Sequence, residues 1–168
     1  MKFGLLVMLC LLLPGFAQAA EETPKPPSAN GPVEELTQMA ICTANEIILM
    51  QHRAQVGLTI TAQTDNPQLA ALAESFNTLA NANHEQIGTY VKVIKEAIVP
   101  QITSAYEVKE NEVLDKANKL TNVALNKINA VLDNAQPREK QIALERELIN
   151  TAARCETLAG KVGQRHTM

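Results

Sequence analysis

Cysteine, histidine and methionine are the side chains whose positions invite a chemical reading in this chain of 168 residues, which holds three cysteines, three histidines and five methionines. Cys10 falls in an apolar N-terminal run, which leaves Cys42 and Cys155. In an oxidising compartment these two have one intramolecular pairing open to them, and a disulfide between them is the expected state. No Cys-x-x-Cys is present to lower a thiol pKa, so a structural staple is expected rather than a redox pair. Kept reduced, the same sulfurs belong to a different chemistry: folding the first two helical segments into a hairpin brings Met39 and Cys42 towards His84, and Cys155 completes a set of soft-metal ligands. The two states exclude each other, because an oxidised pair offers no thiolate.

Other chemistry is sparse. There is no Cys-x-x-Cys-His for haem, no Glu-x-x-His pair for a ferritin-like centre and no Gly-rich phosphate loop, so no cofactor and no enzyme is expected. His52 and His84 fall at different heights of the projected hairpin, and Ser75 and Ser104 have no histidine at their level, which leaves no nucleophile–base pair. A different kind of site is offered by Asn111, Asn118, Asn122, Asn126 and Asn129, which project to one side of a helix at 100° per residue, opposite its apolar stripe. Solvated helix faces usually carry Lys and Glu, so this amide-rich stripe is a candidate contact face for a protein or glycan. None of the five is an Asn-x-Ser/Thr acceptor.

The N-terminus sets the compartment. Lys2 precedes an apolar run from Leu5 to Leu13, a Pro14-Gly15 break and Ala17-Gln18-Ala19, the plan of a secretory signal peptide cleaved after Ala19. The run is too short for a membrane span, which needs about 20 apolar residues. Cleavage removes one lysine and no acid, making the formal charge of −3 one unit more negative. That balance offers no footprint for nucleic acid.

Residues 20–31 are rich in Pro and polar groups and are expected to form a flexible leader. Helical spacing then follows over 32 to Val56, with Gly57 as its stop, and over Pro67 to Ile98, opened by the cap Asn66-Pro67 and marked by Leu69, Leu72, Phe76 and Leu79. Val99-Pro100 predicts a break, and Ser104 to Glu107 matches a capping box that starts a third helix ending near Leu132. Pro137 precedes a fourth, marked by Ile142, Leu144, Leu148, Ile149 and Cys155 and stopping at Gly160, with 161–168 a loose tail. The interval from Ala54 to Val91 has no Lys or Arg, and its small and apolar side chains surround much of the second helix. Burial is the expected use of that surface, and contact with another chain is the alternative.

Helices of similar length with short breaks predict an all-α antiparallel four-helix bundle over 32–160, in which Cys42 and Cys155 differ in height by only roughly 8 Å at about 1.5 Å per residue. The competing arrangement is a long helical rod kinked at Pro100, which would hold the cysteines tens of ångströms apart at the same rise. The functional expectation is an exported, periplasmic or secreted binding or assembly protein. It would present helix faces to an envelope or extracellular protein or to a second copy of itself, without a membrane span after signal cleavage. The alternative is a carrier of a small molecule or soft metal held between helices.

Overall fold

The computed structural model describes residues 31–63, 66–133 and 138–165, and these are almost entirely α-helical. The signal peptide expected at 1–19 and nearly all of the expected leader lie outside the described residues.

Helix α1 (Gly31–Gln63) is the hub. From Met39 to Leu49 its side chains are buried on every side: Met39, Ala40 and Ala44 are fully enclosed, and Thr43, Asn45 and Glu46 are covered with them. A helix buried around its whole circumference needs neighbours all round it, and α1 packs on every other helix. Inside this crowd the Thr43 hydroxyl donates to the Met39 carbonyl at 2.8 Å, a back-bond that satisfies a buried polar group within its own helix.

Gly57 does not stop α1. The helix continues for another turn and a half, with Thr59 and Thr61 donating to the carbonyls of Gln55 and Gly57. The glycine serves a close crossing instead. A Cβ at this position would lie 3.2 Å from the Ala73 carbonyl and 2.5 Å from the Asn77 side-chain oxygen on the next helix. Gly57→Leu is therefore expected to lower stability by about 1–3 kcal/mol through overpacking, measured by urea denaturation. An unchanged midpoint would show that the crossing can open freely.

Helix α2 (Pro67–Val93) begins as expected, with the Asn66 side chain accepting from the Gln68 amide at 2.9 Å and Pro67 in the first turn. Pro100 does not end the rod. A π turn over Ile94–Ile98, closed by the Val99 amide on the Ile94 carbonyl, widens the helix just ahead of the proline, so the chain runs on as α3 (Val99–Tyr106). The break comes at Glu107, whose φ of 53° is left-handed. Ser104 thus lies inside α3 rather than capping a new helix, and α4 (Glu110–Asp133) opens with the amides of Glu112 and Val113 on the Lys109 carbonyl.

Helix α5 (Arg138–Gln164) passes Gly160 and buries Val162 completely, so residues 161–164 are helix where a loose tail was expected. Its terminus is tied back by an ion pair from Arg165 to Glu35 at the start of α1.

Cross-helix partners give the directions. Along α5, Cys155, Leu148 and Glu145 meet Cys42, Asn45 and His52 of α1, so numbers fall on one helix as they rise on the other. Asn83 of α2 meets Glu46 and Arg53, and Ala73 meets Gly57, again in opposite sense. The core divides into two clusters. Leu36, Met39 and Cys42 share one with Tyr90, Ile98, Val113, Ala117 and Val162. Ala44, Ile48 and Leu49 share the other with Ala124, Ile128, Leu132, Leu144 and Leu148.

Candidate functional site

Cys42 and Cys155 are bonded as a disulfide, with Cα atoms 5.6 Å apart, buried where α5 crosses α1. A rod that kept them far apart is thereby excluded, although helix does continue through Pro100. The soft-metal set is not assembled. Both sulfurs are spent on each other, Met39 is wholly enclosed in the core, and His84 is exposed. The shift has a simple origin: because α1 runs to Gln63, the hairpin turns later than a stop at Gly57 implies. Asn83 consequently meets Glu46 rather than the level of Met39. Among the described residues no group of three or more His, Cys, Asp or Glu side chains is gathered to hold a metal.

Asn111, Asn118, Asn122, Asn126 and Asn129 are all exposed, on the side of α4 away from Val113, Ala117, Ala124 and Ile128. His52 is half-buried with its ring 2.8 Å from Glu145. Ser75, exposed, donates to the Ala71 carbonyl.

The more unusual feature is a pair of half-exposed apolar lines on α2 and α5, on the helix faces that open into a cleft over α1, hereafter the groove. On α2, Leu72, Leu79 and Gln86 follow one another at two-turn steps; on α5, Ile142, Ile149 and Glu156 do the same. The four apolar members of these two lines are 45, 45, 48 and 49% exposed respectively. What α2 turns towards α1 is instead the small pair Ala73 and Ala80, a quarter turn away, which permits the close crossing at Gly57. The expected burial of Leu69, Leu72 and Leu79 is thus not what the fold provides: small residues are inside and the leucines are left 40–45% exposed.

The same faces of α2 and α5 meet α1 in a cleft of about 500 Å³, lined by Glu46, Leu49 and Arg53 of α1, Asn83, Glu85, Gln86 and Thr89 of α2, and Ile149, Ala152 and Glu156 of α5, among others. Asn83 bridges two charges there. Its carbonyl oxygen accepts from Arg53 at 2.5 Å and its amide donates to Glu46. Burial pushes the Glu46 carboxyl above its ordinary range, and Glu156 adds to this, while the Asn83 bond and Arg53 pull the other way without cancelling it. Tyr90 is fully enclosed, and its hydroxyl has no hydrogen-bond partner among the described residues. Burial and the carboxyls of Glu46 and Glu156 hold that phenol far above its usual value, with Gln86 opposing.

The chain matches no family model, no curated protein and no solved structure. Its function has to be read from the groove and the cleft themselves. Among the described residues no helix is long and apolar enough to cross a membrane.

The cleft residues escaped sequence reasoning, yet one trace was present. Between Glu35 and Asp65 the chain has one acid and one base, Glu46 and Arg53, two helical turns apart in an otherwise apolar and neutral stretch. Charges there must find partners across a helix interface.

Protonated Glu46 is the form this fold favours. Its stabilisation is fully present below the unfolded carboxyl value of 4.5 and is lost as pH rises through the higher folded value. Glu46→Gln keeps an oxygen for the Asn83 amide and removes the titration. The native chain is therefore expected to lose stability relative to this variant across that interval, measured by urea unfolding at a series of pH values; parallel curves would contradict the assignment.

Proposed function

We propose that this chain is an exported binding protein whose helices form an antiparallel four-helix bundle, clamped by the cystine, and whose α2–α5 groove receives an amphipathic helix of a protein partner. Residues 1–19 are its cleaved signal, and the periplasm or the extracellular space is its place of action. Two features support export: the N-terminal pattern, and the cystine, which is favoured under oxidising conditions.

The observation that carries the binding role is the pair of apolar lines, Leu72 with Leu79 on α2 and Ile142 with Ile149 on α5, left half exposed on the helix faces that carry the cleft residues Gln86 and Glu156. Such a groove matches the recognition of a partner helix by side chains spaced along one of its faces. Charge selects the partner. On α2 the surface carries Glu85 and has no Lys or Arg from Ala54 to Val91, so a helix with basic residues beside its apolar stripe is complementary to that wall. The asparagine stripe on α4 is a separate surface, away from this groove.

Affinity capture from extracts of the native cells tests the reading when the native chain is run beside Leu72→Asp/Ile142→Asp and beside Asn122→Lys/Asn126→Lys. The expected result is a stoichiometric partner kept by the native chain and by the asparagine variant and lost by the groove variant. A partner lost only with the asparagines would move the contact to α4. Retention by the groove variant would remove the groove from the account.

A further inference from the structure

A second opening lies at the start of α1, at the opposite end of that helix from the Gly57 crossing. Val33, Glu34 and Thr37 of α1 line it with Ile102 and Tyr106 of α3 and with Val108 just after, around a pocket of about 610 Å³. Val33 is 42% exposed and Tyr106 50%, so an aliphatic and an aromatic side chain are both shown to this opening. The chain leaves α3 beside them because Glu107 takes the left-handed conformation. Glu34 is the one charged residue of the lining, and it accepts from Gln38 of its own helix at 3.4 Å.

The chain itself supplies an occupant. Residues 20–30 lead into α1, two positions ahead of Val33 at Gly31, and they carry prolines at 24, 26 and 27 and a single base, Lys25. Such a stretch favours the polyproline II helix, whose three residues per turn and rise of about 3.1 Å per residue put Pro24 and Pro27 on one edge about 9 Å apart. Val33 and Thr37 stand one turn apart on α1, about 6 Å at the helical rise. The two repeats are close enough to mesh. Ser28, Ala29 and Asn30, two of them common turn formers, are the length of chain available to turn the leader back.

We propose that this pocket is a polyproline II site occupied by the chain's own segment Thr23–Pro27, with Pro27 between Val33 and Tyr106, Pro24 between Thr37 and Ile102, and Lys25 on the side of Glu34. Grooves with an aromatic wall recognise proline-rich segments because the extended helix is preformed and loses little entropy on docking. The tether selects the occupant. A short linker holds its segment at an effective concentration in the millimolar range, which favours this stretch over the same stretch of a second copy. The site is separate from the α2–α5 groove and stands whether or not a partner helix binds there.

Tyrosine fluorescence of residues 20–168 tests the proposal. Tyr90 and Tyr106 are the two tyrosines and there is no Trp, and Tyr90 is wholly enclosed, so quenching by acrylamide reports on Tyr106. Pro24→Ser/Pro27→Ser is expected to raise the quenching slope about twofold, because a docked segment covers one of the two faces of the ring. The substitutions precede α1 and do not put its folding at risk. The native chain is also expected to show a nuclear Overhauser contact between the Pro27 ring and the Tyr106 ring, absent from the variant. Equal slopes in the two chains, no such contact in the native chain, or a native slope that falls as protein concentration rises, the mark of a second copy on the pocket, would overturn it.

Discussion

Replacing both halves of the cystine, Cys42→Ala with Cys155→Ala, is expected to remove about 4 kcal/mol of folding stability, close to what chain entropy assigns to a loop of this size. The two residues are separated by 113 positions, so the cross-link joins α1 to α5 and closes almost the whole helical region into one ring. Without it the unfolded chain gains the conformations that the ring forbids, while the folded side loses two buried sulfurs from the cluster of Leu36, Met39, Tyr90 and Val162. Guanidinium unfolding with and without reductant measures the effect. The native chain should fall towards the variant on reduction, and the variant should not respond. A loss below about 1 kcal/mol would mean that the helices hold each other without the clamp, contrary to the chain-entropy expectation.

The groove substitution Leu72→Asp with Ile142→Asp has the largest expected effect on binding. Both side chains are close to half exposed in the free chain, so they contribute only part of their surface to the core. Their replacement should cost the fold less than about 1.5 kcal/mol, since only the covered portion of each is returned to water. In a complex the same side chains become fully covered anchors, and each charge introduced would be buried without a counter-ion. Losing two such anchors corresponds to an affinity loss of about 100-fold or more. Surface plasmon resonance against the captured partner, with thermal melts of both proteins, separates the two quantities. Weak binding alongside a melt lowered in proportion would instead make these residues structural.

Much of the helical plan was legible. Steps of three and four between apolar residues identify the segments, Asn66-Pro67 marks the start of α2, and the positions of Cys42 and Cys155 within their helices place them at similar heights. The departures share a cause: each local breaker has an intrinsic tendency that tertiary packing overrides. Pro100 is absorbed by a π turn, Gly57 permits a helix crossing, and Gly160 is carried along by α5 because Val162 has a buried place beyond it. The groove was hidden for a different reason. Helices α2 and α5 each carry two apolar lines, and periodicity cannot say which one faces α1. The close approach at Gly57 decides it, by admitting Ala73 and Ala80 and leaving Leu72 and Leu79 outside. Glu46 and Asn83 depend on the register of two helices more than 30 positions apart in the chain, which no local pattern encodes.

One measurement bears on export and clamp together: the intact mass of the chain isolated from its native cells after alkylation without reductant. The account predicts a chain that begins at Ala20, with Cys42 and Cys155 unalkylated and joined in one linked peptide after digestion. A chain that keeps residues 1–19 and carries alkyl groups on both cysteines would contradict it.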